Sequence, residues 1–316
     1  MIVEVCAHRS LYRRRMNPIE AVTHPDPYPY YARLVAESPF HRDPELGFWV
    51  ATSAEAVTAV LTHPSARVRP AGEPLPIFRG FARMNDGEAH RALRPPVEAM
   101  LDALHLARVR DTVDRFVTPI DVNELAFTLP TRVLASLFGV EDDVTEDVRA
   151  LVQSVFRGVP APSAAERLLA RFDVAQIGVM VQAYDATAGL ILATLLAMAR
   201  HGDTDVEDVL RFDSPVQNTR RFIAERCVIH GETLEPGDVV LVVVGAANHD
   251  PRANGEIFTF GIGAHACPGK TIAVTIARAA IARLLANGFD PSRIDPHPAY
   301  RPAPNVRIPI LSVARR

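Results

Sequence analysis

Residues 260–269 have the sequence Phe-Gly-Ile-Gly-Ala-His-Ala-Cys-Pro-Gly, and this stretch decides how the rest of the chain is interpreted. Its glycines let the loop backbone pass close to a flat ligand, because glycine lacks a Cβ and tolerates positive φ. The helix predicted over residues 271–287 directs its first amides and the positive end of its dipole toward the sulfur of Cys267. Such an environment favours a thiolate over a thiol, so the loop is suited to supply a metal ligand.

The composition indicates a globular protein with a substantial core. The chain has 316 residues, of which 48% are hydrophobic and 22% charged, and its formal net charge is -3. These values exclude a disordered chain and argue against a nucleic-acid-binding protein that relies on a basic face. The three cysteines, Cys6, Cys227 and Cys267, are too few for a disulfide framework and fit a reducing compartment.

The sequence gives no sign of a membrane anchor or an export signal. Its longest apolar stretches, residues 186–199 and 239–247, fall short of the roughly 18 residues that a spanning helix needs. The arginines near the N-terminus follow a short apolar patch, which is the wrong order for a secretory signal. We therefore expect a cytoplasmic protein with no membrane partner, whose residues 1–16 form a flexible N-terminal extension.

Hydrophobic periodicity predicts a mainly α-helical protein with small β-sheets, in a single domain over residues 1–316. The strongest pattern is a helix over residues 174–198 that is apolar almost all round, as expected of a buried helix. Further helices are predicted over residues 28–38, 53–61, 106–117, 126–137, 205–212 and 271–287. Strands are predicted around residues 48–52, 239–244 and 308–313.

The cysteine loop resembles the haem-ligand signature of the cytochrome P450 superfamily, Phe-x-x-Gly-x-His-x-Cys-x-Gly, with every fixed position present in order. The resemblance implies a P450 fold and one haem b whose iron is bound by Cys267. It also places Phe260, Gly263, His265 and Gly269 beside that cofactor. The alternative is a glycine-rich turn that holds a buried cysteine.

Two further segments resemble the P450 elements that hold the haem propionates, which need cationic or hydrogen-bonding partners. The segment with His90 and Arg94 resembles the C helix and assigns both side chains to one propionate. The segment ending at Arg220 resembles the chain after the K helix and assigns this arginine to the other. Pro95 and Pro96 predict a kink directly after Arg94, which favours His90 of the two.

The long apolar helix resembles the I helix, which crosses the oxygen-binding face of the haem. Asp185 takes the acid position of that helix, and Ala183 and Ala186 are small enough for haem or dioxygen to approach. Ala186 stands where the family usually has threonine, and Thr187 follows it. The resemblance assigns proton handling to Asp185 and Thr187 beside Ala186. Alternatively, Gln182 and Asp185 satisfy one another or a kinked backbone.

Other P450 features are shortened or altered. Asp208 and Arg211 occupy the positions of the structural ion pair of the K helix, where the family has a longer acid. Most of the meander before the cysteine loop is missing, and the lid and J-helix regions are short near residues 71–84, 156–173 and 200–205. We therefore expect a reduced distal pocket, for which a second copy of the chain is a candidate partner.

The resemblance implies a haem-thiolate monooxygenase that inserts one oxygen atom from dioxygen into a small organic substrate in bacterial secondary metabolism or catabolism. Electrons would come from a separate ferredoxin-type donor with its reductase, and Arg91 and Lys270 are candidate docking cations. Two alternatives stay open, a peroxide-using or non-hydroxylating haem-thiolate enzyme and a catalytically reduced haem-binding relative. A zinc site of His249, His265 and Cys267 lacks the paired spacing of structural zinc.

Overall fold

The computed structural model describes residues 16–69, 76–118 and 121–314 and confirms a mainly helical fold with small sheets. The helices are α1 (Pro18–Ala21), α2 (Tyr28–Glu37), α3 (Ala54–Thr62), α4 (Gly87–Asp102), α5 (Leu106–Phe116), α6 (Val122–Leu137), α7 (Thr145–Arg157), α8 (Pro162–Leu169), α9 (Val174–His201), α10 (Val206–Phe212), α11 (Val244–Ala247) and α12 (Lys270–Ala286). The strands are β1 (Phe40–Arg42), β2 (Trp49–Ala51), β3 (Ala66–Arg67), β4 (Thr219–Ile223), β5 (Cys227–Ile229), β6 (Glu232–Leu234), β7 (Val239–Val242), β8 (Ala299–Tyr300) and β9 (Pro309–Ile310). Residues 1–15 of the predicted N-terminal extension lie outside the described residues.

Helix α9 forms the centre of the helical core. It begins with a capping box, in which Asp173 accepts from the Gln176 amide and the Gln176 side chain accepts from the Asp173 amide. Helices α6 and α12 pack on its sides, so it is buried over most of its length. By length and hydropathy α9 could cross a membrane, but 72% of its most apolar window is buried inside the protein. This burial is typical of a core helix.

Two glycines of α9 allow close packing by neighbouring segments. A Cβ added at Gly189 would lie 2.7 Å from the Cβ of Pro215, and one at Gly178 would lie 3.2 Å from the ring of Phe81. Both separations are shorter than ordinary van der Waals contact. Both glycines therefore serve packing.

A five-stranded mixed sheet with the order β1-β2-β7-β4-β3 stands beside the helical core. Strand β7 pairs in parallel with β2 and antiparallel with β4, so its residues are almost completely buried. Side chains alternate between the two faces of a strand. In β4 this alternation buries Arg221 and Ile223 and leaves Arg220 exposed. Val216 packs against both the helical core and the sheet core, so the two cores meet at this residue.

The connections confirm the shortened J-helix and meander regions, and the structure corrects three details of the predicted elements. Helix α10 starts shortly after α9 ends, and one 3-10 turn, Pro251–Ala253, stands between α11 and the cysteine loop. Helices α7 and α8 fill a region for which the periodicity gave no helix. The predicted final strand is short, since only β9 and an isolated bridge between Ile294 and Val313 form there. Helix α4 runs on through both of its internal prolines.

A buried arginine joins the N-terminal segment to the end of the chain. Arg307, 1% exposed, donates from Nε to Asp213 over 2.8 Å. Its Nη1 and Nη2 groups donate to the carbonyls of Val22, His24 and Pro25 over 2.6–3.1 Å. The guanidinium also lies 3.7 Å from the ring centroid of Tyr300. A charge this deeply buried is tolerated because so many of its hydrogen bonds are made.

Replacement of Arg307 is expected to destabilise the fold strongly. Arg307→Gln removes the ion pair with Asp213 and the donors of three carbonyls, and removing one partner of a buried ion pair costs about 3–5 kcal/mol. Urea unfolding of this variant would measure the loss. Arg110→Gln, on the exposed face of α5, is the matched control and should change stability by less than about 0.5 kcal/mol. Equal stability of the two variants would contradict this account.

Candidate functional site

A cavity of about 320 Å³ opens between α4, α9, α12, β4 and the cysteine loop. Its walls are mainly apolar, with contributions from Val97, Leu101, Leu190, Ile272 and Ile276. The predicted site residues that line it are Ala183, Ala186, Thr187, Arg94, Arg220, Phe260, His265, Cys267 and Gly269. The other predicted residues, Gly263, His90, Asp185, Asp208 and Arg211, lie outside the lining.

The cysteine loop is held by its own backbone. The amide of Cys267 donates to the carbonyl of Phe260 over 2.8 Å, and the amide of Gly261 donates to Phe258 over 2.8 Å. Gly261 and Gly263 have φ values of +64° and +69°, a region that favours glycine. A Cβ on Gly263 would lie 3.5 Å from Thr62, so this glycine borders α3. The glycines thus give the turn that presents Cys267 to the cavity.

The surroundings of the Cys267 sulfur combine opposing effects on its pKa. Burial raises the pKa of this thiol, whereas a hydrogen bond from the Gly269 amide and the positive charges of Arg94 and Arg83 act to lower it. Gly269 stands immediately before α12, so the predicted approach of a helix start to the sulfur is confirmed. Together these effects leave the pKa of Cys267 raised in the protein without a cofactor. A bound cation would favour the thiolate.

Helix α4 contacts the cysteine loop at two points. His265 lies 3.3 Å from the carboxylate of Asp86 and its ring centroid is 4.2 Å from that of His90. Arg94 donates from Nη2 to the Ala266 carbonyl over 2.6 Å and from Nε to Glu98 over 2.7 Å. Arg94 therefore borders the cavity while it holds the loop, and His90 lies behind His265. Burial is the main reason why the pKa of His90 is lowered, so the ring is neutral near pH 7.

In strand β4 the buried arginine at the cavity is Arg221, whereas the sequence analysis assigned this position to Arg220. The guanidinium of Arg220 lies 5.5 Å from the ring centroid of Phe48, on the exposed face of β4. Arg221 is 6% exposed and lines the cavity, and its Nε has no hydrogen-bond partner among the described residues. Burial lowers its pKa to about 10, and the nearby charge of Arg83 acts in the same direction. We therefore replace Arg220 by Arg221 as the candidate propionate ligand.

Helix α9 divides its predicted catalytic residues between two faces. Ala183, Ala186 and the buried Thr187 line the cavity. Asp185 is turned away from the lining and forms an ion pair of 3.1 Å with Arg301. Gln182 also lines the cavity, and its Nε2 donates to the Gly178 carbonyl over 2.8 Å. The two polar side chains are thus satisfied separately, and the assignment of Asp185 as a cavity acid is corrected.

The predicted ion pair on α10 is wrong. Asp208 accepts from the Asp205 amide in a capping box at the start of the helix, and Arg211 donates to the Gly255 carbonyl over 2.7 Å. Arg252 pairs with Asp250 over 2.9 Å and does not reach α10. The short aspartate caps its own helix instead of crossing one turn, which agrees with the preference of this residue for helix starts.

The cavity fits a haem by its polarity. Apolar side chains of α4, α9 and α12 can cover a porphyrin, and the sulfur of Cys267 faces the same space. The buried Nε of Arg221 and Nε2 of His90 lack hydrogen-bond partners among the described residues, as expected at a site completed by carboxylates. Zinc is not supported, because no cluster of His, Cys, Asp and Glu able to hold a metal ion occurs in the described part of the chain.

Curated relatives match the chain over most of their length. The chain is 26% identical to cytochrome P450 123 of Mycobacterium tuberculosis, an alignment covering 85% of this chain and 89% of the relative. It is 27% identical to the cytochrome P450 monooxygenase PikC of Streptomyces venezuelae, over 82% and 83% of the two chains. No protein-family model matches the chain.

The chain belongs to the cytochrome P450 superfamily. Solved P450 structures agree with it in fold. CalO2 superposes with a TM-score of 0.74 at 23% identity, over 94% of this chain and 97% of the other. The P450 PksS of Bacillus subtilis superposes with a TM-score of 0.78 at 18% identity, over 94% and 98%. The family is one of haem-thiolate oxidoreductases, in agreement with the implied cofactor.

Two arginines of this P450 cavity were missed by sequence reasoning. Arg221 could have been found from the period of two in β4, which sends Arg220 and Arg221 to opposite faces. Arg83, in the short 3-10 helix Ala82–Met84, lines the cavity although no periodic pattern marks it. Both side chains depend on positions that only the folded chain defines.

Adjacent substitutions on β4 test the exchange of Arg220 for Arg221. Arg221→Gln is expected to weaken haem retention about tenfold, because a charge-assisted hydrogen bond contributes about 1.5–3 kcal/mol. Arg220→Gln should change haem retention less than about twofold. The haem-to-protein ratio of the two purified variants gives the measurement. A larger loss of haem from Arg220→Gln would restore the original assignment.

Proposed function

We propose that this P450 is a monooxygenase that inserts one oxygen atom from dioxygen into a small organic substrate. The observation that carries the proposal is the position of Cys267 on the wall of an apolar cavity that the small residues Ala183 and Ala186 of α9 also line. The overall reaction consumes dioxygen, two electrons and two protons, and it releases the hydroxylated product and water. When bound through Cys267, haem b supplies the activation of dioxygen.

The residues of the chain have separate tasks in this proposal. Cys267 donates electron density through its sulfur, and the Gly269 amide limits that donation by its hydrogen bond. Arg221 and His265 hold the propionate edge, while Ala183 and Ala186 leave room for the small ligand. The hydroxyl of Thr187 lies on the cavity wall and can hold a proton donor or a water in place.

Electron supply and substrate source belong to the same proposal. Electrons come from a ferredoxin-type donor with its reductase, which approaches the cysteine side of the molecule. Arg91 and Lys270 are exposed and can supply cations to that contact. A cytoplasmic location, and a role in bacterial secondary metabolism or catabolism, complete the proposal. PikC and PksS, whose names are those of a monooxygenase and a polyketide synthase P450, support this direction.

The carbonyl spectrum of the reduced protein tests the thiolate ligand. We expect the strongly red-shifted Soret band of thiolate coordination, because the only cavity-lining sulfur of the described cysteines is that of Cys267. Cys267→Ser should abolish this band, whereas Cys227→Ser, on strand β5, should leave it unchanged. A red-shifted band that persists in Cys267→Ser would refute the proposed ligand.

A second candidate function is peroxide-driven oxidation. It is favoured by the absence of any Asp or Glu from the described lining of the cavity, since Asp185 is engaged by Arg301. Ala186 also removes the hydroxyl that the family usually has at this point. Peroxide already carries the two electrons and two protons that dioxygen would have to receive. Oxidation by peroxide therefore needs less proton delivery from the protein.

The source of oxidising equivalents distinguishes the two candidate functions. For monooxygenation we expect product only with dioxygen, ferredoxin and reductant, and a rate that falls when Thr187 is replaced by Val, because the buried hydroxyl is lost. Peroxide alone should then give slow turnover. Faster turnover with peroxide than with the electron donors would favour the second candidate. Spectral binding of small apolar compounds without product in either assay would indicate a catalytically reduced relative.

A further inference from the structure

The cysteine loop is joined to helix α10 by two uncharged side chains. Thr259 Oγ1 donates to the carbonyl of Leu210, in the last turn of α10, over 2.7 Å. Asn248 Nδ2 donates to the same carbonyl over 3.2 Å and to Thr259 Oγ1 over 2.8 Å. Asn248 Oδ1 accepts from the amide of Phe258 over 2.7 Å. We refer to Asn248, Thr259 and the Leu210 carbonyl as the loop anchor.

Backbone hydrogen bonds connect the loop anchor to Cys267. Phe258, which donates to Asn248, accepts from the amide of Gly261, and Phe260 accepts from the amide of Cys267. These bonds fix both sides of the turn that presents the sulfur. Thr259 and Phe258 also line the cavity, so the anchor and the proposed cofactor site share residues.

Burial makes the loop anchor energetically important. Asn248, Thr259 and Phe258 are 5%, 8% and 0% exposed. Within this group each polar atom of the two side chains has a partner, whereas loss of one member leaves another buried and unsatisfied. Such a group specifies one arrangement of the chain more strongly than an exposed contact does.

Among the described residues, no ion pair joins α10 to the cysteine loop. Asp208 caps its own helix, and Arg211 reaches only the Gly255 carbonyl in the shortened connection. Both side chains are partly or fully open to solvent, where charged contacts contribute little. The contacts between α10 and the start of the cysteine loop are instead made by Asn248 and Thr259.

We propose that Asn248 and Thr259 are positioning residues that hold the Cys267 loop for haem in place of a charged pair on α10. This inference rests on the proposed haem-thiolate function. It implies that the contribution of the loop anchor to cofactor retention comes from uncharged hydrogen bonds and is therefore insensitive to salt, since screening acts on charges. The connection between α11 and the cysteine loop is short, and the amide of Phe258 donates directly to Asn248 Oδ1 across it.

The rate of haem transfer from the holoprotein to apomyoglobin tests the proposal. Thr259→Val removes the hydroxyl with little change of shape, and we expect about tenfold faster haem loss, the factor for one buried hydrogen bond. Thr259→Ser keeps the hydroxyl and should restore a rate close to that of the wild-type protein. Asp208→Asn keeps an acceptor for the helix cap and serves as the matched control, with an unchanged rate.

The carbonyl spectrum separates a positioning role from general stability. In Thr259→Val the red-shifted Soret band should partly give way to the shorter-wavelength band of a lost thiolate ligand, while circular dichroism stays native. The ratio of variant to wild-type rates should be the same at about 0.1 and 1 M salt. Unchanged haem loss in Thr259→Val and Asn248→Ala, or equal loss in Asp208→Asn, would overturn the proposal. A wild-type protein without thiolate-bound haem would instead refute the proposed function.

Discussion

The hydrogen bond from the Gly269 amide to the Cys267 sulfur is the contact on which the site depends. A sulfur in an apolar cavity is disfavoured as a thiolate unless donors and positive charge offset its burial. The start of α12 supplies the donor, and Arg94 and Arg83 supply the charge. The rest of the stabilisation of the thiolate must come from a bound cation, so the Cys267 ligand and its cofactor depend on each other. The sequence around α12 is therefore constrained by this chemistry as much as by packing.

Much of the fold could be predicted because its elements carry local signals. The capped apolar pattern of α9, the serine cap of α3 and the continuous apolar run of β7 all depend on neighbouring residues alone. The cysteine loop could be predicted because glycine, histidine and cysteine at fixed spacing reflect backbone requirements of one turn. Helix α8 was missed because it lies in a region where the family resemblance indicates a deletion, and the amphipathic helix α7 immediately before it was missed as well.

The site was predicted less completely, because its residues come together through tertiary contacts. The exchange of Arg220 for Arg221 depends on a register of one residue in β4, which reverses the face of every side chain. The pairing of Asp185 with Arg301 joins residues that are far apart in sequence, and no local pattern foretells it. The loss of the Asp208–Arg211 pair has a local cause, since a short acid at a helix start competes for the backbone.

The arginine that joins the two ends of the chain has a consequence for biosynthesis. Its contact with Val22 spans 285 positions, so it can form only after Arg307 has left the ribosome. Until then, Asp213 and the carbonyls near the N-terminus lack their hydrogen bonds from Arg307, and the nascent chain lacks one of its most buried ionic contacts. The appearance of Arg307 and closure of the native structure are in this way coupled by a single side chain.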